Sequence, residues 1–201
     1  MNLKKNFILL FAILMTLELS AQSENQGLRV GSKAIDFMMV DQNGEMVHLK
    51  QLLKKGPVIL KWYRGGWCPY CNLELKSFAD KLDTIQSLGA TLVAISPEIP
   101  DKVNETVSEN KIHFSIISDT DNQLGKKYDL VYRLDKVTAN RYESSFQLSA
   151  YNGNTKAEVP LPATYIIDTD GIIKYAFINT DYKIRADIDE VMLQISLLMD
   201  K

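Results

Sequence analysis

The chain has two cysteines, Cys68 and Cys71, and they stand where an apolar run of strand length gives way to an amphipathic helix. Residues 57–63 are almost continuously apolar, the pattern of a strand covered on both faces of a sheet. After Arg64-Gly65-Gly66-Trp67-Cys68-Pro69-Tyr70-Cys71, the residues Leu73, Leu75, Phe78, Leu82, Ile85 and Leu88 recur at helical spacing up to Gly89. Cys68 therefore opens a helix, where unpaired N–H groups and the macrodipole favour a thiolate. Cys71 lies one turn further on the same face, close enough for a disulfide to form without unwinding the helix. A bridge across so short a loop adds little stability, so the pair reads as reactive.

Residues 1–21 combine Lys4 and Lys5, an apolar run over 7–17 and a short polar end with a small residue, Ala21. That is the pattern of a secretory signal peptide, and the run is too short for a membrane span. Residues 22–201 are expected to form one domain that is exported, periplasmic or secreted, with no stable membrane anchor. A net charge of −2 gives no footprint for nucleic acid or for an anionic membrane surface. His48 and His113 are not paired at ligand spacing, so no metal or other cofactor is expected.

Along this domain, Asn43-Gly44 between two short apolar runs predicts a hairpin, and residues 50–55 a short helix closed by Gly56. The helix after the cysteines is predicted to run unbroken to Gly89. Strands follow at 90–96 and 114–119, with helices at 101–110 and 122–128, a βαβ rhythm. Residues 129–159 break it: they read as an insertion over one sheet edge, with a helix near 139–148, either covering a substrate or simply solvated. A second hairpin, 163–168 and 172–177, turns at Thr169-Asp170-Gly171, and a last helix covers 186–199.

A strand, a turn holding Cys-Pro-Tyr-Cys, a long helix and Pro162 just before a strand together resemble the thioredoxin fold: an α/β, central mixed sheet flanked by helices, here with an N-terminal hairpin extension. The phrases Trp62-Tyr63-Arg64-Gly65-Gly66-Trp67-Cys68-Pro69-Tyr70-Cys71 and Leu161-Pro162-Ala163-Thr164-Tyr165-Ile166-Ile167-Asp168 are similar to the peroxiredoxin-like branch of the alkyl hydroperoxide reductase and thiol-specific antioxidant family. The thioredoxin likeness implies that Cys68 is the nucleophile, that Cys71 resolves the mixed disulfide, and that Pro162 is cis and lies against the sulfurs. The peroxiredoxin likeness places the peroxide-attacking cysteine at Cys71, with a glutamate three residues on at Glu74. It also shows departures, because Arg64 and Cys68 replace the expected proline and threonine, and Pro162 replaces the expected arginine.

The loss of that threonine and arginine removes electrostatic help for the breaking O–O bond, which Arg64 would supply in part. Trp67, Pro69, Tyr70 and Glu74 are the candidate substrate contacts, and Cys68, Cys71, Arg64 and Pro162 the candidate catalytic residues. Two enzymatic readings stand. One is an antioxidant peroxidase reset by a thioredoxin-type thiol donor, and the other a thiol:disulfide oxidoreductase acting on exported protein disulfides. Both end in a Cys68–Cys71 disulfide.

Overall fold

The structure, a computed structural model, describes residues 27–199. The proposed leader, 1–21, lies outside the described residues. None of the described helices is long and apolar enough to cross a membrane.

Five strands form the central sheet in the order β5-β4-β3-β8-β9: β3 (Val58–Trp62), β4 (Thr91–Ser96), β5 (Ser115–Ser118), β8 (Ala163–Ile167) and β9 (Ile173–Ile178). β3, β4 and β5 run parallel, while β8 pairs antiparallel with both β3 and β9, so the sheet is mixed as expected. β3 is central, and each of its residues is buried. Side chains alternate across a strand: Ile59 and Tyr63 enter one core while Val58, Leu60 and Trp62 enter the other. Each buried aliphatic side chain stabilises the fold by roughly 1.5–3 kcal/mol. Lys61, between Leu60 and Trp62 in this run, shares the face of Ile59 and is only 2% exposed.

The predicted first hairpin forms as β1 (Met38–Val40) and β2 (Met46–His48), followed by the short helix α1 (Leu49–Leu52). With α5 (Gln123–Lys127) it covers the core built on Leu60 and Trp62. The opposite core is covered by α2 (Pro69–Asp80), α3 (Leu82–Ser87), α4 (Pro100–Asn110) and the last helix, α8 (Ile188–Met199). The single long helix predicted after the cysteines is two helices. At Lys81 the backbone leaves the helical region, with φ −104° and ψ 4°, and its N–H bonds to Phe78 O. This tighter turn re-aims the second helix so that Leu82 and Ile85 stay in the core. Gly89, at φ +71°, then ends it in the left-handed conformation that glycine adopts without strain.

Residues 129–159 are an arm rather than a loop. Two strands that the sequence pattern did not signal, β6 (Val131–Arg133) and β7 (Glu158–Pro160), pair antiparallel at its base. Between them lie α6 (Lys136–Phe146) and α7 (Leu148–Asn152). Asp135 caps α6 by accepting from the N–H groups of Val137 and Thr138, which starts the helix earlier than predicted. The arm folds back over the N-terminus of α2, where both cysteines lie.

Candidate active site

The chain leaves β3 at Trp62 and reaches the cysteines through a loop fixed at several points. Cys68 N donates to Gly65 O at 3.0 Å, and Asn72 Nδ2 reaches back to Gly66 O at 2.7 Å. Gly66 N donates at 2.9 Å to Glu98, a fully buried carboxylate that also accepts from Ser96 and Thr106. A methyl group at Gly66 would collide with Thr106 Oγ1, so only glycine fits there. Cys68 is the N-cap of α2 with extended backbone, Pro69 occupies the first helical turn, and the N–H groups of Cys71 and Asn72 bond to Cys68 O.

Both cysteines are free thiols and both are buried, but they face different surroundings. Cys68 lines a cavity of about 300 Å³ together with Arg64, Trp67, Pro69, Tyr70, Arg141, Tyr142, Ser145, Phe146 and Tyr182. Cys71 does not line it. A hydrogen bond from the Cys71 thiol, helped by Arg64 and Arg185, brings the Cys68 thiol down to about 6 despite its burial. Burial pushes the Cys71 thiol well above its usual range, and the anionic Cys68 adds to that.

Behind Cys71 runs a chain of charges, half-buried at Arg185 and buried at Glu74 and Lys61. Arg185 Nη2 lies 3.5 Å from Cys71 Sγ, and its Nη1 lies 3.3 Å from Glu74 Oε2. The other Glu74 oxygen meets Lys61 Nζ at 2.7 Å, and Lys61 also donates to Ala163 O. Burial pulls the Lys61 ammonium below its ordinary value, against the attraction of Glu74.

Of the residues that the sequence singled out, the structure brings Arg64, Trp67, Cys68, Pro69 and Tyr70 together around one cavity. Two land elsewhere. Glu74 does not line the cavity: one turn beyond Cys71, it points toward the sheet, where its buried charge is held by Lys61 and Arg185. Pro162 is not cis, since no described peptide bond is, and it does not line the cavity. Leu161 N bonds to Leu130 O in the arm's ladder, and β8 begins at Ala163, paired with Trp62. The segment thus passes straight from one ladder into the next, and the trans form, intrinsically preferred even before proline, fits that path.

Sequence reasoning missed Arg185, Lys61, Glu98 and the arm's Arg141, Tyr142 and Phe146. A lysine inside a strand buried on both faces was a signal, because such a charge requires a partner. Arg185 lies 114 residues from Cys71, and only the packing of the chain leading into α8 brings them together.

The AhpC/TSA family matches residues 30–176 of the chain. Peroxiredoxin Bcp of Escherichia coli K12 is 25% identical over 165 residues, covering 82% of this chain and 94% of its own length. Thiol-disulfide oxidoreductase ResA of Bacillus subtilis is 27% identical over 124 residues, covering 61% of this chain and 68% of its own. Among solved structures, peroxidoxin BcpB from Mycobacterium tuberculosis superimposes with a TM-score of 0.68 at 20% identity, covering 85% of this chain and 98% of that one.

Proposed function

The chain belongs to the AhpC/TSA family, and on that premise we propose that it is a thiol-dependent peroxidase in which Cys68 is the sulfur that meets the substrate. The observation that carries this assignment is that Cys68 lines the cavity and Cys71 does not. The Cys68 thiolate attacks the terminal oxygen of a hydroperoxide. An S–O bond forms, the O–O bond breaks, and the alkoxide leaves to take up a proton as the alcohol. Cys71, one helical turn away, then attacks the sulfenic sulfur; the S–S bond forms, and hydroxide leaves with the Cys71 proton as water. An external dithiol of the thioredoxin type reduces the Cys68–Cys71 disulfide and is itself oxidised. The leader-like residues 1–21 support the reading that this cycle runs outside the cytoplasm, which secretion assays on the full chain would test.

A second reading, thiol:disulfide exchange with protein disulfides, draws support from the Cys-Pro-Tyr-Cys sequence and the likeness to ResA. A single-turnover experiment separates the two. Reduced protein is mixed with hydrogen peroxide or with a disulfide-bonded peptide while fluorescence is followed from Trp67, which lines the cavity. Oxidation by peroxide far faster than an ordinary thiol is expected. Slow peroxide oxidation with fast peptide exchange would transfer the assignment to the second reading.

A further inference from the structure

Arg64 is 1% exposed, yet no acidic side chain among the described residues pairs with it. The other cations near the sulfurs, buried Lys61 and half-buried Arg185, both pair with Glu74. Arg64 spends one donor, Nη2, on the Tyr142 hydroxyl at 2.9 Å, while its Nε and Nη1 have no partner. Its guanidinium carbon sits 4.9 Å from the ring centre of Trp67, 5.2 Å from Tyr142 and 4.3 Å from Tyr182. Ring contacts of this kind favour a cation but leave its N–H donors unsatisfied. The Cys68 thiolate attracts Arg64, but two buried donors without acceptors still cost free energy.

The cavity beside Arg64 has the complementary character. None of its lining residues is acidic, and Arg141, exposed on α6 with its guanidinium 5.6 Å from the Tyr142 ring, adds a second positive charge. Its walls are aromatic, and its volume of about 300 Å³ suits a small organic molecule. We propose that this cavity is a recognition site for a carboxylate carried on an apolar or aromatic body, with Arg64 as the anchor that seats such a compound beside Cys68. The carboxylate would supply the acceptors that Arg64 Nε and Nη1 lack, and the rings would hold the body. The inference rests on Cys68 being the sulfur that meets substrate. The same chemistry would serve an acidic hydroperoxide in the oxidising half of the cycle or an acidic thiol in the reducing half.

The first test uses wild-type protein and an unreactive probe. 4-Phenylbutanoate is expected to slow the alkylation of Cys68 by neutral iodoacetamide about tenfold more than 4-phenylbutanamide does, the effect of one charge-assisted hydrogen bond. In Arg64→Gln the difference between acid and amide should disappear. Equal protection by both compounds, or by neither, in the wild type would overturn the proposal.

The two sources are then separated by comparing a fatty-acid hydroperoxide with its methyl ester in oxidising the dithiol, and 4-mercaptobenzoate with 4-mercaptobenzamide in reducing the disulfide. A preference for the acid in either half supports the site and names its ligand, and a preference in neither counts against it. Hydrogen peroxide, which carries no carboxylate, tests the peroxidase reading in the wild type independently of the carboxylate site.

Discussion

Arg185 Nη2 lies 3.5 Å from Cys71 Sγ, while Arg64, only seven residues before Cys71, sits across the site against Tyr142 and the cavity. The guanidinium at the inner sulfur thus comes from the segment leading into the last helix, not from the loop that carries the cysteines. In the proposed cycle, an incoming thiolate attacking the disulfide at Cys68 would release Cys71 as an anion, and Arg185 is placed to stabilise it. Arg185→Met should slow re-reduction of the disulfide roughly tenfold to a hundredfold, since a hydrogen bond to a charged group contributes about 1.5–3 kcal/mol. Stopped-flow reduction by a dithiol reads this directly, and an unchanged rate would show that the contact plays no part in the cycle.

The two sulfurs should also titrate differently. The first cause of the low Cys68 value, about 6, is the hydrogen bond from the Cys71 thiol. The Cys68 thiolate is therefore fully formed well above pH 6 and is lost as the pH falls through it. Iodoacetamide alkylation at Cys68 should rise with a midpoint near pH 6. In Cys71→Ala the donor is gone, and the midpoint should move up toward that of an ordinary thiol. A midpoint unchanged in the variant would assign the shift to the helix terminus and the arginines instead.

The sheet and the redox turn were legible because both are written in local pattern: the apolar run before the cysteines, the Asn43-Gly44 turn and the spacing of Leu75, Phe78 and Leu82. The arm was harder to read, since β6 and β7 are three residues each and become strands only by pairing across the segment between them. Its aromatic residues look like ordinary packing until α6 lays Tyr142 and Phe146 against Trp67, at ring distances of 5.2 and 5.4 Å. Pro162 shows the opposite failure. There a family phrase implied a local geometry that the two flanking ladders leave no need for.

Gly66 tests how tightly the redox loop is clamped. Its N–H is held by Glu98, and the space a side chain would need is filled by Thr106. Gly66→Ala should therefore cost roughly 1–3 kcal/mol, as overpacked sites do, and should displace the loop enough to slow alkylation of Cys68. Urea denaturation together with the alkylation rate reads both effects. Stability and rate at wild-type levels would show that Thr106 simply moves aside.

Glu74 holds together two cations that would otherwise face each other in a nearly dry interior. It meets Lys61 Nζ at 2.7 Å and Arg185 Nη1 at 3.3 Å, and Lys61 and Glu74 are only 2% and 5% exposed. Removing one partner of such a pair strands the other charge, whereas replacing both with apolar groups is often tolerated. Glu74→Ala should thus destabilise the protein by about 3–5 kcal/mol, and Glu74→Leu combined with Lys61→Met should recover most of that loss. Thermal melts of the single and double variants read the difference. A double variant as unstable as the single one would mean that Lys61 and Glu74 are held by their packing rather than by their charges.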